Sequence, residues 1–264
     1  MLDKQLIGLI FLTFTVHLID TLAYSVRLNS VKTGQFALSL SFFNVFVLVS
    51  RTANMFQGPL IGALMGVSIA ANFDPVWEIR KVILSSTAGT LAGIILIPTF
   101  LRIFSKAVAR LELSGSVPSI VIQALSISNI KRIARSAAVP SKKMLLNIRF
   151  REIPKRLLLL NMIITGVYTI GVLAAYYSAT LVPPEKQLAA SASSGIINGI
   201  ASILLTLFVD PKSAIITDQA LRGKRPYGDV KALVVLLISA KLLGTILGQF
   251  IFIPAANLIA GFYH

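Results

Sequence analysis

The chain has 264 residues, of which 55% are hydrophobic and only 13% charged, and its mean hydropathy is +0.81. That balance excludes an ordinary soluble domain and calls for a lipid solvent. The net charge of +15 then reads as charge at one membrane face rather than as a nucleic-acid footprint, and the absence of cysteine excludes disulfides, thiol catalysis and thiolate metal sites together.

A bilayer core of about 30 Å needs roughly 20 apolar residues per helix. On that ruler six spans are predicted, at 5–26, 35–57, 80–104, 156–181, 187–209 and 230–261. The first contains His17 and Asp20, three apart and so on one helical face, and its polar content argues against a cleaved leader. The second ends in SRTANMFQGP, where Arg51, Asn54 and Gln57 fall on a common side. The chain then stays apolar to residue 73, too long for one straight helix, and Gly58-Pro59 is the natural break. Two outcomes are open: a broken or re-entrant segment lining protein or a cavity, or a surface helix after an ordinary turn.

The third span leads into a strongly basic connection, 105–154, in which Ile, Leu and Val alternate with Lys and Arg. The pattern favours amphipathic helices on an anionic leaflet over a merely solvated linker. The fifth span ends at Asp210-Pro211, a second break in the place equivalent to the first. The sixth carries Lys241 about a dozen residues in, and is long enough to tilt, kink at Pro254 or end in an interfacial turn. Nineteen of the twenty-five Lys and Arg residues fall at 27–34, 101–156 and 210–231. The positive-inside rule places these three regions in the cytoplasm and both termini outside.

Shifting the chain by 152 residues sets Ala23 against Ala175, Tyr24 against Tyr176, Gln35 against Gln187, Ser50 against Ser202 and Pro59 against Pro211. A slightly larger shift sets GTLAGIILIP (89–98) against GTILGQFIFIP (244–254). Three spans per repeat is an odd number, so the halves must be inverted relative to each other, the plan of proteins that expose one site alternately to two sides. The expected fold is therefore an all-α integral membrane protein of two inverted three-helix repeats, 1–104 and 155–264, joined by the basic amphipathic linker 105–154. GALMG, GTLAG, GIING and GTILG each space glycines four apart, which predicts close helix packing within the molecule.

A charge at mid-membrane costs about 2.5–3.5 kcal/mol on insertion scales, so the polar residues within the spans must face protein or water. One reading is structural: ion pairs of Asp20 with Arg51, or of Asp210 with Lys241, that hold helices together. The other is an anion path. Arg51 offers a bidentate fork, Lys241 a point charge, and Asn54 and Gln57 amides, while Arg27, Arg222 and Arg225 collect an anionic head group at the basic face. His17, Asp20, Asp210 and Asp218 are the candidate gating or coupling groups. There are no clustered aspartates for metal-assisted phosphotransfer and only one internal histidine, so neither a catalytic residue, a metal nor a cofactor is expected.

The strings HLIDTLAYSVRLNSVKTGQFALSLS, SRTANMFQGP and VDPKSAIITDQALRGKRPYGDVKALV resemble the Amj family of bacterial lipid II flippases, functional alternates to the unrelated MurJ flippase. The likeness spans nearly the whole chain and is weakest in 105–154. It implies a bacterial cytoplasmic-membrane protein that moves lipid II, the polyprenyl-pyrophosphate-linked precursor of peptidoglycan, from the cytoplasmic to the outer leaflet. The alternative is another inverted-repeat transporter for a lipid or a small anion. Six spans also leave room for a homodimer.

Overall fold

The computed structural model describes residues 2–114 and 148–263, and every regular element in it is helical. In chain order these are α1 (Leu2–Thr33), α2 (Phe36–Met55), α3 (Gln57–Ala71), α4 (Val76–Ser114), α5 (Lys155–Ser178), α6 (Gln187–Leu204), α7 (Asp210–Leu221) and α8 (Tyr227–Tyr263). Short 3₁₀ turns stand at Phe150–Glu152 and Pro184–Lys186, and a π turn, Leu205–Val209, joins α6 to α7. Taken together they supply six helical runs long and apolar enough to cross a membrane: Lys4–Thr33, Phe36–Ala71, Val76–Arg110, Lys155–Ser178, Pro184–Leu221 and Tyr227–Tyr263.

The helices outrun the apolar windows that predict them. α1 continues seven residues past 26 because Arg27, Asn29 and Ser30 are buried against neighbours, and it stops where Gly34 turns left-handed at φ +73°. α4 begins after Pro75, with Asp74 Oδ1 accepting from the Val76 N–H at 3.0 Å, and runs ten residues beyond 104. Of the predicted linker helices, 105–114 is thus the end of α4, while 115–147 lie outside the described residues. α8 passes through Pro254 without a break, as α4 passes through Pro98.

The first predicted break exists, displaced by a few residues; at the second the helix does not break but carries a π turn. α2 gives way to α3 at Phe56, and Pro59 sits in the first turn of α3, where its missing N–H has no intrahelical acceptor to lose. In the second half the helix continues through the π turn, with Pro211 in the first turn of α7. Each half therefore reads as one long helix, one interrupted helix and a second long helix.

Packing follows the same division. α1 lies along α4, and α5 lies along α8. A Cβ at Gly89 would collide with the carbonyl of Phe14, and one at Gly244 would come within 2.5 Å of the Met162 carbonyl. Only glycine allows backbones so close. Across the halves α3 meets α5, α7 meets α1, and α8 touches both α1 and α4. One apolar core gathers Leu9, Ile61, Leu64, Ile83, Leu173 and Phe252 at one end, and a second gathers Ile153, Leu157, Leu233 and Leu237 at the other. Phe42 and Phe46 of α2 interlock with Phe100 and Phe104 of α4, the Phe42 and Phe104 rings meeting edge-on at 5.3 Å.

The reading of every glycine pair as packing needs correction for GIING, and in GALMG only Gly62 packs, against Tyr176, while Gly66 meets nothing. Nothing lies within 4 Å of a Cβ at Gly195 or Gly199, so their bare backbone borders open space rather than another helix. Sequence spacing is the same for a packing stripe and a cavity wall.

The three basic regions meet at one end of the bundle. Tyr227 donates to the Leu28 carbonyl at 3.4 Å, the Arg149 N–H reaches the Gly228 carbonyl at 3.5 Å, and Arg149 stands 3.6 Å from Asp229. At the opposite end Tyr177 donates to Asp74 at 3.1 Å, and Arg80 reaches the Gln249 carbonyl at 3.0 Å.

Candidate functional site

Three cavities lie in series along α2. The middle one, about 80 Å³, is bounded by His17, Asp20, Tyr24, Arg51, Tyr168 and Lys241 among others. Towards the basic end it adjoins a cavity of about 310 Å³ and shares Phe43, Thr206 and Asp210 with it. Towards the other end it adjoins one of about 410 Å³ and shares Arg51 and Tyr168.

A single face of α2 serves all three. Ser39, Phe43, Val47, Ser50 with Arg51, and Asn54 recur at three- and four-residue steps, the spacing of one helical side. Opposite runs a matching stripe of α6 and the π turn: Gly195, Asn198 with Gly199, Ser202 and Thr206. At the 152-residue shift Val47 corresponds to Gly199, Ser50 to Ser202 and Asn54 to Thr206. The two surfaces that this shift aligns face one another, one bulkier and one nearly bare.

Two ion pairs lie here, each a buried cation with a half-buried carboxylate, and both radiate from α1. Lys241 Nζ is 3.4 Å from Asp20 Oδ2, and Arg27 Nη2 is 3.1 Å from Asp210 Oδ1. The sequence-level pairing is therefore exchanged: Asp20 takes Lys241 rather than Arg51, and Asp210 takes Arg27 rather than Lys241. The helix order explains it, since α1 touches both α7 and α8 and can present a different ionic residue to each.

Arg51 is treated differently from both. It donates to the Ser202 hydroxyl, and its guanidinium lies over the Tyr168 ring, 4.6 Å from the centroid. Among the described residues it has no carboxylate within salt-bridge distance. The polar walls of the three cavities carry Arg27, Arg51 and Lys241 against Asp20 and Asp210, a surplus of one positive charge. Fixed by a hydroxyl and an aromatic face, that surplus cation suits an incoming anion.

Other polar groups in the cavity walls lack partners. His17 Nδ1 and both amide atoms of Asn198 are buried without a hydrogen bond. Such groups are expensive unless a ligand or water completes them. Tyr24, by contrast, is satisfied, donating to Asn161 Oδ1 at 2.8 Å while Asn161 donates to the Leu237 carbonyl at 2.9 Å.

Of the sequence-derived candidates, Arg27, Arg51, Asn54, Lys241, His17, Asp20 and Asp210 come together around the cavities. Gln57 does not: it is buried between α3 and α1, donating to Thr13 Oγ1 at 3.1 Å. Arg222 and Asp218 pair with each other at 3.0 Å on the exposed side of α7, and Arg225 is tied to Gln219 at 2.7 Å and to Asp229 at 3.2 Å. Sequence reasoning passed over Tyr168, Ser39, Asn198 and Ser202 as site residues. The repeat could have flagged Ser202 as the counterpart of Ser50, but an aromatic residue within an apolar helix such as Tyr168 gives no signal.

The family model described as Amj, alternate to MurJ, matches residues 12–263. The chain is 40% identical over 261 residues to the lipid II flippase Amj of Bacillus subtilis (strain 168), covering 98% of this chain and 97% of that protein. No solved structure matches it. With the match running unbroken from the His17–Asp20 face of α1 to the end of α8, the chain belongs to the Amj family.

Proposed function

We propose that this chain is a lipid II flippase that carries the polyprenyl-pyrophosphate-linked peptidoglycan precursor from the cytoplasmic to the outer leaflet by alternating access, without chemical change to the lipid. The observation that carries the reading is Arg51: a positioned cation with no carboxylate, placed where two cavities join. A pyrophosphate crossing a low-dielectric core needs such a group, and the planar fork suits it. The name of the Bacillus relative supports the substrate.

In this reading the two halves are inverted repeats, the basic end faces the cytoplasm, and both termini are extracytoplasmic. The prenyl chain stays in lipid while the head group moves along the facing sides of α2 and α6. A middle cavity of about 80 Å³ holds only a few waters, so the conformation described is a closed one, and α2 and α6 must part for a disaccharide-pentapeptide to pass. These two helices suit that movement, because their outer faces present Leu48, Ile196, Ile200, Ile203 and Leu207 to lipid rather than to other helices.

The test is purified protein in liposomes holding head-group-labelled lipid II, alongside outer-leaflet lipid II in cells that depend on this chain. Movement of intact lipid between leaflets is expected. Flux of a soluble anion without lipid movement, or chemical conversion of the lipid, would overturn the proposal.

A further inference from the structure

We propose that the cavity between α1, α2 and α7 is a vestibule that binds a prenyl diphosphate, with Arg27 and Ser39 as its donors and Asp210 as the internal anion that the ligand displaces. The ligand class rests on the flippase reading; the site rests on the geometry.

The cavity, about 310 Å³, contains two donors that the fold leaves unused. Arg27 gives Nη2 to Asp210, but its Nη1 is buried with no hydrogen-bond partner. Ser39 is 1% exposed and its hydroxyl is likewise unpaired. That is unusual within this bundle, where Ser25, Ser30, Ser202 and Ser213 each donate to a carbonyl of their own helix. A guanidinium and a hydroxyl are phosphate donors, and the Phe43 ring, 4.9 Å from Arg27 Cζ, holds the guanidinium in place.

The remaining walls identify the source of the phosphate. Val26, Phe36, Leu40 and Pro211 line the cavity beside the donors, a surface for an isoprenoid rather than for free pyrophosphate in water. The amides Asn54 and Asn198 line the 410 Å³ cavity beyond Arg51, and Asn44 lines this one. The vestibule therefore reads diphosphate and prenyl together.

Asp210 gives the site its second property. It borders both this cavity and the middle one, and it occupies one side of the Arg27 fork. A diphosphate that engages Arg27 fully must displace this carboxylate, which removes the contact between α1 and α7 at the junction of the two cavities. Ligand arrival and opening of the path towards Arg51 become one event.

The experiment is calorimetric titration of the full chain in phosphatidylcholine nanodiscs with farnesyl diphosphate. Saturable binding is expected, at least about tenfold tighter than inorganic pyrophosphate. Ser39→Ala should weaken it about tenfold, and Ser39→Asp, which sets a carboxylate among the donors, should abolish it. Asp210→Asn should tighten it about fivefold or more, because a competitor for Arg27 is gone. Absence of binding, an unchanged Ser39→Ala, retained binding by Ser39→Asp, or weaker binding by Asp210→Asn overturns the vestibule, and equal affinity for pyrophosphate overturns its lipid character. Lipid II movement measured on the same protein separates the two readings. Movement without farnesyl diphosphate binding removes the vestibule alone, whereas binding without lipid II movement removes the flippase assignment and leaves the site.

Discussion

Arg51 of α2 donates to Ser202 of α6, and the 152-residue shift sets Ser202 against Ser50, the residue beside Arg51 in sequence. The same shift sets Ile203 against Arg51, so only one of the two aligned serines has a cation beside it. The hydroxyl and the Tyr168 ring hold a planar guanidinium, which an ammonium cannot replace. Arg51→Lys is expected to insert normally and to move lipid II at about a tenth of the wild-type rate or less. Outer-leaflet lipid II at matched protein level checks this, and full activity of the lysine variant would remove the clamp role.

Asp20 and Lys241 should behave in the opposite way, as a pair needed first for folding. Lys241 is only 3% exposed, so Asp20→Asn leaves a buried ammonium without its partner, at a cost of about 3–5 kcal/mol. Protein level and detergent melting temperature are expected to fall together. The double change Asp20→Leu with Lys241→Met should recover most of the stability, since apolar replacement of a buried pair is often neutral. Transport by the recovered double variant then reports whether the charges also serve the mechanism: movement at the wild-type rate would confine them to structure.

The glycines divide into two classes with distinct outcomes. Gly89→Ala and Gly244→Ala each force a Cβ onto a neighbouring carbonyl and should lower stability by about 1–3 kcal/mol. Gly195→Ala and Gly199→Ala meet nothing and should fold normally, while reducing transport by narrowing the path. Melting temperatures of the four variants decide the matter. Equal destabilisation in all four would mean that Gly195 and Gly199 pack after all.

The sidedness can be read on the chain's own cysteine-free background. A cysteine replacing Lys186 is expected to react with an impermeant maleimide from outside intact cells, and one replacing Lys224 only after permeabilisation. The reverse pattern would invert the assigned direction.

The number of spans and the places of both interruptions were legible because hydropathy and proline act locally: no distant residue alters the missing N–H of Pro59 or Pro211. The presence of Arg51, Asp20 and Lys241 in the candidate site was legible for the same reason, since a charge within an apolar run has to face inward. Their partners were not. Which carboxylate meets Lys241 depends on α1 lying against α8, a tertiary fact without a local signature. The ends of α1 and α4 were also hidden, because hydropathy stops at the first polar residues even where Asn29 and Ser30 are buried against other helices. Ser39 left no trace, being one serine in a run of apolar residues and hydroxyls, and only its missing acceptor distinguishes it.

The wide turn at Leu205–Val209 amounts to one surplus residue carried inside an otherwise continuous helix. If its hydrogen bonds slipped back to ordinary α spacing, everything beyond it would rotate by about 100°, the angle of a single residue. Asp210 is the first residue beyond it, so the slip would swing its carboxylate off Arg27 while α7 stayed intact. Deleting one residue from 205–209 would make that rotation permanent. The surplus residue is in effect a ratchet tooth: it allows the α1–α7 contact to be exchanged by re-registering a few carbonyls, with no helix unwound and no backbone amide left bare in the bilayer.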